Sequence, residues 1–422
     1  MNAFLRFDPV SRRDFAEKLA YTALGVTLLP HLARAAGKGA AVSPESPGFG
    51  KAKRVIWLQM MGGMSHIDTL DPKTGPSKGP GDAIQTKAGY QLGGYLPQLA
   101  KNHSDKLAII RSMTSKTGVH SSGQYLMRTG YEPRGTIKHP NLGAWAQELL
   151  GQSSETLPSS VCVGRGAQHG NGFFPAGFSP LPIQDPDAGL QYAGFDTSSE
   201  VMEKRFALLN KVDGGFRGKF QDSNLKAYTE FYDNTLQLLS SEDLGAFKVS
   251  DEPSALRQRY GMNKFGQGCL LARRLVERDV RFVEVSYGSW DMHNDIDDAM
   301  EERGTVLDTA LSALLTDLGE RGLLESTLIV LCSEFGRGPQ INSRNGRDHH
   351  PKVAGGPAKG GTVYGASDKM GHSVADKQTT IQDFHSTVGH AMGMSVDEVV
   401  MSPSGRPFTV GDKGEPVFDV LA

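Results

Sequence analysis

The sequence predicts an α/β fold with a mainly parallel central sheet and helices on both faces, and two observations carry that expectation. Short, nearly continuous apolar runs recur along the chain, the form taken by strands buried on both sides. Between them lie stretches whose apolar residues repeat at helical spacing, so strands and amphipathic helices alternate. The first strand is Arg54–Met61, Arg-Val-Ile-Trp-Leu-Gln-Met-Met, closed by Gly62-Gly63. Further strands are expected at Leu107–Ile110, Val280–Ser286 and Thr327–Ser333. Helices are expected at Asn141–Leu150, on the spacing of Leu142, Trp145, Ala146, Leu149 and Leu150, and at Leu225–Leu239. A third, Asp308–Leu318, presents Leu311, Leu314, Leu315 and Leu318 and stops at Arg321-Gly322. Trp57, Trp145 and Trp290 read as packing residues. With no internal repeat, residues 54–422 are expected to form a single domain with a helical excursion at about 191–252.

Composition narrows the class. The 422 residues carry 45 Lys+Arg against 47 Asp+Glu, with 38% apolar and 22% charged residues. Such a balance excludes a disordered chain and lacks the strongly basic footprint of a nucleic-acid coat. The three cysteines, Cys162, Cys269 and Cys332, are too scattered for a disulfide framework or a Cys-x-x-Cys zinc site.

The N-terminus reads as an address. Ser11-Arg-Arg-Asp-Phe-Ala-Glu-Lys18 is followed by a mildly apolar stretch, Leu19–Leu32, and by Ala33-Arg34-Ala35. Charged region, short apolar region and small residues two apart make a removable export signal. The apolar stretch is too short to span a bilayer, which needs ~20 apolar residues. The paired arginines resemble a twin-arginine signal, which implies the twin-arginine export machinery and a periplasmic or extracellular protein cleaved near Ala35. Residues 36–53 are then a linker rich in Gly, Ala, Pro and Ser.

Chemistry gathers just beyond the strands. Met64-Ser-His-Ile-Asp follows the first and places His66 and Asp68 two apart; Trp290-Asp-Met-His293 follows the third and does the same with Asp291 and His293. In extended backbone such pairs point the same way. Glu334-Phe-Gly-Arg337 follows Thr327–Ser333, and Gly346-Arg-Asp-His-His-Pro351 adds Asp348, His349 and His350. His, Asp and Glu without thiolates suit a divalent metal such as zinc, manganese or calcium. The candidate ligands are therefore His66, Asp68, Asp291, His293, Glu334, Asp348 and His349. Arg337 and Arg347, with His350, are candidates to bind an anionic substrate, Arg through bidentate contacts to an oxyanion. No nucleotide P-loop, dinucleotide fingerprint or Gly-x-Ser-x-Gly elbow is present.

Together with Lys359-Gly-Gly-Thr-Val-Tyr-Gly-Ala-Ser-Asp368, the ordered motifs at 62–73, 290–293, 333–337 and 346–351 resemble the bacterial family labelled "domain of unknown function 1501" over roughly residues 50–400. The resemblance implies an alkaline-phosphatase-like three-layer sandwich, sulfatase-like, with a metal site at the strand ends. It also implies hydrolysis or transfer of phosphate or sulfate esters. In that comparison Glu334 replaces a ligating Asp, Phe335 stands where a second ligand is expected, and His293 matches a pocket histidine. Gln124–Gly130 is similar to the segment after the sulfatase nucleophile, which puts His120 at the nucleophile position, followed by Ser121 and Ser122. No cysteine lies there, so formylglycine chemistry is not supported. Met60-Met61-Gly62 lacks the metal-binding Asp of active relatives, for which His66 and Asp68 are possible substitutes. The implied function is an exported metal-dependent hydrolase of phosphate or sulfate esters, its substrate an anionic ester such as a sulfated or phosphorylated glycan, with neither nucleic-acid partner nor transmembrane segment. The alternative is a catalytically degenerate member of the fold acting as a binding or surface-assembly protein.

Overall fold

Five parallel strands build the central sheet of the computed structural model, which describes residues 45–164, 170–190, 201, 204, 207, 208, 211, 237–239 and 241–421. The expected leader at 1–35 lies outside these residues, as do most of the expected linker and nearly all of the helix expected at Leu225–Leu239. The strands are β1 (Arg54–Met60), β3 (Ser160–Val163), β4 (Leu181–Ile183), β5 (Phe282–Tyr287) and β6 (Thr327–Ser333), in the order β4-β3-β5-β1-β6. Every neighbouring pair is parallel. The remaining long strand, β2 (Leu107–Thr114), belongs instead to a mixed sheet. It pairs antiparallel with Ala354–Lys359 and parallel with Thr362–Tyr364 and Thr379–Thr380. Its apolar run looks the same either way, because both settings bury the two faces.

Alternation along β1 divides the core. Ile56, Leu58 and Met60 pack on one face with Leu271 and Leu275 of helix Lys264–Glu277 and with Leu307, Leu311 and Leu314 of helix Ile296–Glu320. Val55 and Trp57 face the other way, against Leu126 of helix His120–Thr129, Leu142 and Trp145 of helix Leu142–Leu150, and Phe384 and Val388 of helix Ile381–Met392. The result is a three-layer α/β sandwich with a parallel central sheet. Each fully buried Leu, Ile or Phe contributes roughly 1.5–3 kcal/mol to holding the layers together.

Helix boundaries follow local chemistry. Asn141 caps its helix by accepting the Ala144 N–H at 2.8 Å, and Thr380 with Asp383 forms a reciprocal capping box. The expected helix Asp308–Leu318 is the C-terminal part of the longer helix Ile296–Glu320. Because the central strands are parallel and in register, Met60, Tyr287 and Ser333 end level with one another. Whatever the following loops carry is thereby delivered to one edge of the sheet.

Candidate metal centre

Backbone contacts lock the loops beyond β1, β5 and β6 together. Met61 N–H donates to Tyr287 O at 2.8 Å, and Trp290 N–H donates back to Met61 O at 3.1 Å. Gly62 follows with φ of +114°, and a Cβ there would lie 2.5 Å from the Asp291 nitrogen. Only glycine allows this approach without a shift. Its N–H donates to Glu334 Oε1 at 2.9 Å, so the β1 loop touches both the Asp291 loop and the residue after β6.

At this edge His120, Asp291 and His349 converge, their ligand atoms all within 4.8 Å of one another. His120 opens helix His120–Thr129, Asp291 lies in the loop after β5, and His349 stands opposite Arg337 in a short antiparallel pair. Their side chains are 29%, 45% and 27% exposed, so a solute can reach them. The three can hold a metal ion. His120 Nδ1 lies 2.8 Å from Glu334 Oε1 and His349 Nδ1 lies 2.7 Å from Gly118 O. Those oxygens only accept, so each Nδ1 carries a proton and Nε2 is the ring atom left to face the carboxylate or an ion. His120 Nε2 is buried with no hydrogen-bond partner and lies 3.3 Å from Asp291 Oδ2. Two imidazoles held by outer oxygens, each with Nε2 facing the same carboxylate, fit a divalent cation.

Charge in the site is settled by its contacts. Burial opposes ionisation of Asp291, but bonds from Arg337 and His349 outweigh it and hold the carboxyl at about 2. Burial likewise opposes ionisation of Glu334, and His120 and the Gly62 N–H bring it below the usual carboxylate range. The same Glu334 bond raises His120. Phe335 is fully buried, its ring centroid 5.0 Å from that of His120 and 4.8 Å from that of His349. It walls the two imidazoles.

The other expected site residues divide into those beside the cluster and those away from it. His293 is beside it, with Nε2 3.0 Å from His349 Nε2 and 3.1 Å from Asp291 Oδ1. Asp348 accepts from His293 Nδ1 at 3.0 Å, and Glu334 from His120, so both carboxylates sit behind imidazoles. Ser121 and Ser122 follow His120 on its helix, whereas Gly123 and Gln124 are the residues that face Glu334.

His66 and Asp68 lie apart from the cluster. His66 Nε2 bonds Gly371 O at 3.0 Å, and burial lowers the ring to about 4. Asp68 pairs with Arg347 at 2.8 and 3.1 Å. Arg347 gives its remaining N–H groups to Gly338 O, Pro339 O and Ser77 O. Arg337 is equally enclosed, bonding Gly62 O, Gly63 O, Trp290 O, Arg347 O and Asp291. These two arginines brace loops, in contrast to the expected contact with substrate. His350, adjacent to His349 in a strand, points away and bonds His372 O at 2.6 Å.

The Gly118 carbonyl and Gln124 were not foreseen. A backbone oxygen leaves no trace in residue identity, and Gln124 gains its role only from the helical turn that carries it back towards Glu334 at 3.3 Å.

Comparison with known proteins gives a family and a set of distant likenesses. The model of the family described as "Protein of unknown function (DUF1501)" matches residues 52–421. No curated protein matches the chain. Among solved structures, the PsFucS1 sulfatase from Pseudoalteromonas sp. is similar at 14% identity and a TM-score of 0.40, over 90% of this chain and 72% of that one. A protein in the alkaline phosphatase superfamily from Vibrio parahaemolyticus is similar at 11% identity and a TM-score of 0.42, over 89% and 72%. Alkaline phosphatase from the Antarctic bacterium TAB5 is similar at 12% identity and a TM-score of 0.31, over 75% and 95%. At these values the likenesses say nothing of chemistry.

Proposed function

For this chain, which belongs to the DUF1501 family, we propose an exported, metal-dependent hydrolase of phosphate or sulfate esters. One observation carries the reading: His120, Asp291 and His349 meet at the reachable edge of the sheet, with the imidazole Nδ1 atoms already committed to outer acceptors. His120, Asp291 and His349 would hold a divalent ion there, which would supply charge stabilisation on the ester oxygens and acidify water near it. The chain's own residues prepare that chemistry. Glu334 and Gly118 fix the imidazole tautomers, Arg337 and His349 keep Asp291 ionised at neutral pH, and Phe335 excludes water from one side. Ser121 and Ser122 are kept as nucleophile candidates beside His120.

The fuller arrangement in this proposal is a leader at 1–35 read by the twin-arginine machinery, a linker at 36–53 and a single domain from 54, acting in the periplasm or outside the cell. No helix among the described residues is long and apolar enough to cross a membrane.

The test is a panel of phosphate and sulfate monoesters and diesters with zinc, manganese or calcium, run on wild type, Asp291→Ala and His349→Ala. Metal-dependent turnover lost in both variants is expected. Turnover that survives them, or none with any ester and metal, would overturn the proposal. A second reading, a degenerate binding protein, draws support from Arg337 and Arg347, whose N–H groups are all taken up internally. It predicts metal uptake without turnover.

A further inference from the structure

We propose that His293 is a further ligand of the same ion, completing with His120, Asp291 and His349 a set of three imidazoles and one carboxylate that takes zinc in preference to calcium. The inference rests on the metal reading above and deepens it by naming the class of cation.

His293 Nε2, His349 Nε2 and Asp291 Oδ1 form a nearly equilateral triangle with edges of 3.0, 3.1 and 3.1 Å. Donor atoms placed around one zinc ion in a tetrahedron stand roughly 3.3 Å apart, given ligand distances of about 2.0–2.1 Å. The triangle's edges come within about 0.3 Å of that spacing.

The protons point to the same conclusion. His293 Nδ1 faces Asp348 Oδ1 at 3.0 Å, and a carboxylate only accepts. Arg337 Nη1, which only donates, stands 3.5 Å from His293 Nε2. Both contacts put the His293 proton on Nδ1 and the lone pair on Nε2. Gly118 O takes the His349 Nδ1 proton and so leaves its Nε2 facing His293 and Asp291. The Nε2 atoms of His293 and His349 thus face each other at 3.0 Å, with Asp291 Oδ1 3.1 Å from both. A metal ion among the three atoms would take the place of the shared proton that otherwise holds them together.

His293 is also held for the task. Asn342 donates to its carbonyl at 3.1 Å and to Asp348 Oδ1 at 3.2 Å, and Gly346 passes so close that a Cβ would lie 2.1 Å from the His293 carbonyl carbon. Nitrogen-rich donor sets suit zinc, whereas calcium takes 6–8 oxygens.

The experiment uses the full chain stripped by chelator, with circular dichroism confirming the fold, titrated calorimetrically with zinc chloride or calcium chloride. One zinc per chain and no calcium uptake are expected. His293→Ala and His293→Gln should each lose more zinc affinity than the roughly 10–100-fold of a lost outer partner. His350→Ala, which alters the adjacent ring that points away, should bind like wild type. X-ray absorption on the zinc-loaded wild type should count three imidazoles, a number that needs no variant to fold. Two imidazoles, His293 variants that bind zinc as wild type does, or calcium binding that matches zinc would overturn the inference. A wild type that takes up no ion overturns this inference and the metal-dependent reading together. Tight zinc binding without ester turnover overturns only the hydrolase reading.

Discussion

Glu334 Oε1 receives the His120 Nδ1 proton at 2.8 Å and the Gly62 N–H at 2.9 Å. It therefore acts on an ion only through the ring it orients. Glu334→Gln keeps the shape and removes the charge that fixes the imidazole. We expect zinc affinity to fall about 10–100-fold with one ion still bound per chain, read by competition with a chromogenic chelator. A fall in stoichiometry would instead make Glu334 a ligand. At this scale the sequence was informative where spacing did the work. Asp291 and His293, two apart after a strand, do meet near one point, and His349 joins them from a separate loop. His66 and Asp68 show the same spacing yet are drawn elsewhere, because Arg347 claims Asp68 and Gly371 O claims His66. Those partners lie hundreds of residues away in the chain, and no local pattern announces them.

The elements matter to the site chiefly through how they end. At Gly62 the turn out of β1 needs φ of +114°, and a Cβ would meet the Asp291 nitrogen at 2.5 Å. Gly62→Ala should push the Asp291 loop outward, lowering zinc affinity at least about tenfold and stability by about 1–3 kcal/mol, measured by calorimetry and urea unfolding. Unchanged binding would show that the loop yields freely. Parallel strands were legible because burial on both faces writes them as apolar runs. Helix Lys264–Glu277 was not, since Gly266 and Gly268 dilute its apolar stripe. Helix Ile381–Met392 was hidden by the buried polar residues His385, Ser386, Thr387 and His390, although its Thr380–Asp383 capping box was there to be read. The mixed character of the β2 sheet depends on Ala354–Lys359 running antiparallel, a choice that composition does not record.

For the molecule as a whole, buried histidines set an acid limit. Burial lowers His66 and His385 to about 4 from 6.5. Folded values below unfolded ones mean that the unfolded chain takes up protons first. Stability is thus complete above pH 6.5 and declines as pH falls from 6.5 to 4, by on the order of 3 kcal/mol per group. Urea midpoints should drop across that window, and His385→Leu should flatten the decline; a flat wild-type profile would refute the assignment. The level ends of β1, β5 and β6 have a further consequence. The side chains they gather come from opposite reaches of the polypeptide, so an ion bound among them acts as a clasp across the chain. Unfolding must part residues that the clasp joins. At a free zinc concentration about a hundred times the dissociation constant, it adds about 2.7 kcal/mol. The melting temperature should climb with added zinc and fall back with chelator. A protein secured in this way is sturdiest where the ion is plentiful, so its lifetime follows the metal content of its surroundings.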